Sequence, residues 1–351
     1  MKTTISKILI YVLLLPCMVV MIFGAWLIIY AKTPIDAEKV TTVLVDIPTG
    51  SSFVKVTKIL SDVGLVENRL LFYGLVGIKR GTRSMRAGQY EFTTSISPSE
   101  LVDKLIHGDI KNYRVTIHED YTLKEVAARL KEYKLVDEKV FFELAEDKVF
   151  LSSLGILASS IEGYLFPDTY FLNRSMSTRQ IMRVMVDRFW SKISPEMINQ
   201  AAERGLEPHQ FVTFASLVGK ESGTSAEKPV IAAVFYNRLK KGMPLQSDPT
   251  TVYDLKDFNG KIMRSHYKRE SPYNTYLIKG LPPGPIANPG LDSFQAVLTP
   301  AKADFLYFVS QKDGTHFFTS SLDAHNKAIF HFRNVKNSGK DIENEDGNGK
   351  K

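Results

Sequence analysis

Residues 42–60 read TVLVDIPTGSSFVKVTKIL, and residues 112–130 read NYRVTIHEDYTLKEVAARL. In the first stretch, Thr42–Ile47 has strand character, Pro48-Thr49-Gly50 forms a turn, and Ser51/Ser52 stand before apolar positions Phe53, Val56, Ile59 and Leu60. A serine hydroxyl at that place accepts from the unpaired N–H groups of a first helical turn, and the spacing puts the apolar residues on one face. The second stretch repeats the pattern 70 residues later without a gap: Val45 with Val115, Ile47 with Ile117, Ser52 with Thr122, Phe53 with Leu123, Val56 with Val126 and Leu60 with Leu130. The match runs on from Leu65, Val66 and Phe72 to Leu135, Val136 and Phe142. Each copy therefore predicts a strand, a capped helix, a short loop and a second helix. The first copy closes with a strand over 87–93 and a helix over 98–106 that ends at Gly108. A strand followed by two short helices is a small α+β unit that can serve as a ligand-binding module. A duplicated packing unit without a ligand satisfies the same pattern, because the matches are mostly apolar positions.

Toward the N-terminus, Ile8 to Ala31 is uncharged over 24 residues, between Lys7 and Lys32. As a helix it would be about 36 Å long, enough to cross a hydrocarbon core of about 30 Å with some tilt. It exceeds the apolar core of a cleavable signal peptide, and Tyr30-Ala31-Lys32 is a poor cleavage site, so an uncleaved anchor is expected. Cys17 follows Leu14-Leu15-Pro16, but Pro16 is not small and the apolar run continues, so a plain intramembrane thiol is the better reading. Lys2, Lys7 and the terminal amine precede the span, while Lys32 follows it with Asp36 and Glu38. The count of basic residues points to a cytoplasmic N-terminus, which places the rest of the chain outside the membrane.

The chain has 351 residues, of which 44% are apolar and 24% charged, as in ordinary globular proteins. One cysteine excludes an intramolecular disulfide framework and a multi-cysteine zinc site, and suits an oxidising exterior. The net charge of +7 is small for this length and permits, without requiring, an acidic partner or a membrane surface. There is no phosphate-binding glycine loop, no H-E-x-x-H and no G-x-S-x-G, and Ser222 has no nearby histidine in sequence. Nucleotide, metal and serine-nucleophile chemistries lose ground; no cofactor or metal is expected. No basic stretch interleaved with aromatics suggests nucleic acid.

Beyond the repeats, Ser160–Tyr170 breaks the periodicity with aromatics, two acids, Gly and Pro. Helices are expected over 178–192, 195–204, 208–220 and 228–240, the third with Phe211, Phe214, Ala215 and Val218 on one face. From Gly242 to about Thr299 the chain reads as ordered loops rich in Gly, Pro, Asn and Tyr; short strands over 305–310 and 316–319 and a final helix over 321–333 follow. The remaining chemistry is acid–base work by carboxylates. Glu221, at the end of a largely apolar helix, can stand at the wall of a cleft, where burial would keep it protonated near neutral pH. On the helix pattern alone, an ordinary surface acid beside Lys220 is the better reading. Asp248, before Pro249, is either a cleft residue or a turn initiator.

Several stretches then point one way. Glu162-Gly163-Tyr164-Leu165-Phe166-Pro167-Asp168-Thr169-Tyr170, Lys220-Glu221-Ser222, Asn237-Arg238-Leu239, Leu245-Gln246-Ser247-Asp248-Pro249-Thr250, Tyr273-Asn274-Thr275-Tyr276 and Gly280-Leu281-Pro282-Pro283-Gly284 resemble, in order, the motifs of the YceG-like endolytic murein transglycosylases. The resemblance covers about Thr42 to Phe330. It implies a membrane-anchored lytic transglycosylase that cuts peptidoglycan glycan strands internally near the membrane, with Glu221 as catalytic acid/base. It implies substrate contacts among Glu162, Asp168, Ser222, Asn237, Arg238, Gln246, Ser247, Asp248, Tyr273, Asn274 and Tyr276. Peptidoglycan synthases are further partners it suggests, although no residue identifies one. Some members carry an extra Glu two residues before the catalytic one; here that position is Gly219.

The expected layout is an α+β chain: a tail over 1–7, an anchor over 8–31, a linker over 32–41, LysM-like units over 42–112 and 113–158, a catalytic domain over 159–333 and a disordered tail over 334–351. Two other readings stay open. A muramidase-type hydrolase would use Glu221 with Asp248 and water, and a non-catalytic scaffold would only bind the wall.

Overall fold

The computed structural model describes residues 2–37, 40–255, 258 and 260–332; the expected tail over 334–351 lies outside them. The chain is α+β and divides into two compact units, 1–113 with 171–176, and 114–170 with 177–351.

The first unit begins with α1 (Lys2–Lys32), whose segment Leu14–Lys32 has a mean hydropathy of 2.3 and is long and apolar enough to cross a membrane. Then come β1 (Thr42–Ile47), α2 (Phe53–Asp62), α3 (Arg69–Ile78), β2 (Gly88–Thr93) and α4 (Pro98–His107). β1 and β2 pair antiparallel, from Thr42 opposite Thr93 to Ile47 opposite Gly88. Alternation turns Val45 and Ile47 inward, onto Val56, Leu60, Phe72, Tyr90, Phe92 and Leu101, all buried. Each fully buried side chain of this size contributes roughly 1.5–3 kcal/mol. Ser52 caps α2 by accepting from Lys55 N–H at 3.3 Å, and Asn68 caps α3 through Leu71 N–H at 3.1 Å.

The second unit takes up most of β3 (Tyr113–Thr116), α5 (Leu123–Glu132), α6 (Glu138–Ala145), α7 (Lys148–Ser153), the first half of β4 (Thr169–Leu172), α8 (Thr178–Lys192), α9 (Pro195–Glu203), α10 (Pro208–Glu221), α11 (Lys228–Lys240), α12 (Leu291–Leu298), β5 (Tyr307–Ser310) and β6 (His316–Thr319). A final helix, α13, occupies 322–332. β3 lies beside β4, and β5 and β6 form an antiparallel hairpin. Thr122 caps α5 by accepting from Glu125 N–H, and Glu125 answers at Thr122 N–H at 2.7 Å. The strand, cap and helix order of the first repeat is thus present in the second.

Helix α10 is the centre of this unit. Every residue from Phe211 to Gly219 is buried, and the helix packs on α9, α11 and α12. Phe211 meets Phe294 of α12 edge-on at 5.1 Å, and Phe214 meets Tyr236 of α11 at 4.6 Å. The region expected to be loops up to Thr299 is corrected here: its end forms α12. Leu291, Phe294, Val297 and Leu298 recur at helical spacing, but eight residues are too few for that period to stand out among glycines and prolines.

Candidate active site

The carboxylate of Glu221 emerges in the last turn of α10, where the buried helix meets an irregular wall. Ser222 ends the helix: its N–H and its hydroxyl both return to Gly219 O, at 3.2 and 3.0 Å. Its hydroxyl proton is thereby used at the helix end, while the oxygen can still accept. The residue Glu221 keeps part of its surface open. Ser247 Oγ, fully buried, donates to Glu221 Oε1 at 2.6 Å. Burial pushes the Glu221 carboxyl up to about 7; the Ser247 hydroxyl, the Asp248 N–H and Arg238 oppose that, while the Asp248 charge adds to it. A carboxyl balanced there can both give and take a proton near neutral pH.

The wall around it is built by residues far apart in sequence. Gln246 has a left-handed backbone (φ 53°) and is exposed as a residue, while Ser247 beside it is fully buried. Ser247 N–H donates to Thr275 Oγ1 at 2.9 Å, and Gln246 N–H to Thr275 O at 3.0 Å, so the two loop motifs form one layer. Asp248 accepts from Tyr276 at 2.5 Å and from Tyr267 at 3.2 Å, and the two rings lie 4.7 Å apart. Two phenols thus hold a second carboxylate next to Glu221.

Other residues of the motifs serve the frame. Arg238 is buried; its guanidinium donates to Leu306 O at 2.7 Å, Leu245 O at 2.9 Å, Pro244 O and Gln246 Oε1. Asn237 donates to Ala303 O and Phe305 O, both at 2.9 Å. Asn274, fully buried, donates to Arg269 O at 2.7 Å and fixes the tyrosine loop. Tyr273 lies half-buried against Tyr253, ring centres 4.7 Å apart.

Glu162 lies apart from that wall. It is 2% exposed and accepts from Leu123 N–H at the start of α5, from Tyr253 OH at 3.0 Å and from Asn288 Nδ2 at 2.8 Å. Burial raises its carboxyl to about 7, against the Leu123 N–H, the Tyr253 hydroxyl and the Lys220 charge. Asn288 also accepts from Gly163 and Leu165 N–H and donates to Tyr121 O. Gly163 follows with φ 88°, and a Cβ there would sit 2.7 Å from Pro285 and Val212, so only glycine fits. Asp168 pairs with Arg188 at 2.6 Å beside β4.

Sequence reasoning missed Tyr267, Tyr253, Asn288 and Asp120. Asn288 stands three residues after Pro285, where the Gly-Pro run gave the only hint. Asp120 bears on Gly219: a Cβ at Gly219 would collide with Asp120 Oδ1. The motif lacks a second carboxylate, yet the fold brings one to that helical position from a distant loop. Burial pushes Asp120 up to about 6, although Lys228 and Lys220 draw it down. Among the described residues no His, Cys, Asp and Glu group is arranged to hold a metal ion.

An endolytic murein transglycosylase of Bacillus subtilis is 32% identical over 333 residues, which covers 90% of this chain and 91% of that one. One from Streptococcus pneumoniae is 29% identical over 346 residues, covering 90% of this chain and 62% of its own length. The 2.6 Å crystal structure of a yceG-like protein from Listeria monocytogenes superposes with a TM-score of 0.57 at 32% identity, covering 83% of this chain and all of that one. The YceG-like family matches residues 45–331, and the chain belongs to that family.

Proposed function

We propose that this chain is a membrane-anchored endolytic murein transglycosylase, and that Glu221 is its catalytic acid and base. The observation that carries the role of Glu221 is its carboxyl, held near 7 at the end of a buried helix, bonded to Ser247 and still partly open. Glu221 protonates the glycosidic oxygen that leaves N-acetylmuramic acid. The resulting carboxylate takes the proton of that sugar's 6-hydroxyl, whose oxygen attacks the anomeric carbon and closes a 1,6-anhydro ring. Proton and bond counts balance without water. General acid–base catalysis contributes roughly 10²–10⁴-fold.

Asp248, fixed by two phenols, offers a negative charge beside the positive charge that develops at the anomeric carbon. Gln246, Ser222, Tyr273 and Tyr276 supply polar atoms and ring faces to the glycan; Asn237, Arg238, Asn274, Glu162 and Asp168 act through the frame. The units over 42–112 and 113–158 are LysM-like and guide the strand. Helix α1 holds the enzyme in the cytoplasmic membrane with its N-terminus inside. Its product ends terminate strand growth.

Purified wild-type and Glu221→Gln proteins, incubated with glycan strands, test the assignment by mass spectrometry. Wild type yields anhydro ends and Glu221→Gln none. Reducing ends would instead favour the hydrolase that the nearby Asp248 carboxylate would serve, and full activity of Glu221→Gln would remove Glu221 from the chemistry.

A further inference from the structure

Helix α3 (Arg69–Ile78) carries no charge between Arg69 and Lys79. Its inner face, Leu71, Phe72, Leu75 and Val76, is buried in the core of the first unit. Its outer face is equally apolar: Leu70, Tyr73, Gly74, Gly77 and Ile78 recur at helical spacing, with Leu70 71% and Ile78 72% exposed. A helix that is apolar all round belongs in a protein core or in a membrane, and only one side of α3 has a core.

The outer face also carries the contact with α1. Gly74 lies against Leu27 and Phe23, each within 4 Å of where its Cβ would be. Leu27 and Phe23 come five and nine residues before Lys32, so they lie about 7 and 13 Å down the helix axis from the end of the apolar run. Helices that lie in a bilayer surface sink roughly 5–10 Å into the boundary between headgroups and chains, a range that includes the level of Leu27 and ends a little short of Phe23. Trp26, 65% exposed on α1, and Tyr73 on α3 are the residue types that collect at that level. Arg80 and Arg83 follow α3 directly, both exposed and without an ion pair among the described residues.

We infer that α3 is a second membrane contact, lying in the outer leaflet beside the anchor with Leu70 and Ile78 among the acyl chains and Arg80 and Arg83 on anionic headgroups. This rests on the reading of α1 as the membrane anchor. The consequence is a first unit fixed against the bilayer at two points instead of swinging on one helix.

The test uses the full chain in vesicles of phosphatidylethanolamine and phosphatidylglycerol. With Cys17→Ala as background, single spin labels are placed through Leu70→Cys, Ile78→Cys, Val19→Cys in the anchor and Leu157→Cys, which is 92% exposed in the second unit. Accessibility to oxygen, relative to a water-soluble nickel chelate, reads depth. The inference expects ratios at 70 and 78 several-fold above that at 157 and approaching that at 19. A water-like ratio at 70 or 78 with a lipid-like ratio at 19 overturns the inference and leaves the anchor standing. A water-like ratio at 19 as well overturns both.

Discussion

Replacing Ser247 by alanine removes one hydroxyl that points at one carboxylate oxygen, from 2.6 Å, with little change in volume. The hydroxyl stabilises the ionised form of Glu221 and opposes the effect of burial. A hydrogen bond to a charged group is worth about 1.5–3 kcal/mol, and 1.36 kcal/mol corresponds to one pKa unit. Ser247→Ala therefore lifts the Glu221 carboxyl by about one to two units above the wild-type value. In the proposed mechanism Glu221 must be protonated to start the reaction, so wild-type activity is expected to fall as pH rises through about 7. In Ser247→Ala that fall moves to higher pH by the same interval, even if the maximal rate drops through poorer positioning. The assay counts anhydro ends by mass spectrometry at a series of pH values, with the pH limb compared instead of the rate. An unchanged limb in Ser247→Ala would refute Glu221 as the acid, because a different group would be setting the profile.

Asp248→Asn removes the charge that holds Glu221 up, so the same limb should move to lower pH while the products keep their anhydro ends; pH–rate profiles with product analysis check both. Gly219→Ala forces a methyl group into the Asp120 carboxylate and should cost about 1–3 kcal/mol, measured by denaturant unfolding, with Asp120→Ala in the same chain relieving most of it. Glu162 and Glu221 both sit near 7 in the folded chain, against 4.5 for an unperturbed carboxyl. The folded state then binds more protons than the unfolded state between those values, so stability declines as pH rises across that window. Melting curves of Glu162→Gln should show a shallower decline than wild type.

The fold was legible wherever one element carries its own signal. Ser52 and Thr122 each precede a helix with periodic apolar positions, and Pro208, at the first position of α10, announces the helix that delivers Glu221. Helix 178–192 begins where Ser177 caps it, and helix 228–240 ends just before Gly242. What periodicity could not reveal was pairing across long distances. Nothing local to Ser247 says that its hydroxyl meets a carboxylate 26 residues earlier. Nothing near Arg238 says that it is buried and spent on carbonyls at 244, 245 and 306. The motif Glu162–Tyr170 stood out by composition, but a buried carboxylate that satisfies a helix start and an exposed one that grips a sugar are written with the same letter. Solvation separates them, and solvation belongs to the assembled chain.

The knot of bonds around Glu162 has a consequence for biosynthesis. It joins Leu123, Tyr253 and Asn288, and Arg238 is satisfied only when Leu306 arrives. A chain threaded through a translocation channel from its N-terminus would carry Glu221 across long before either closure is possible. Contacts of such long sequence separation also form late and slowly. On the proposed orientation, the centre around Glu221 would therefore stay unassembled during export and mature only when almost the whole polypeptide has crossed, a delay that protects the envelope from half-made scissors.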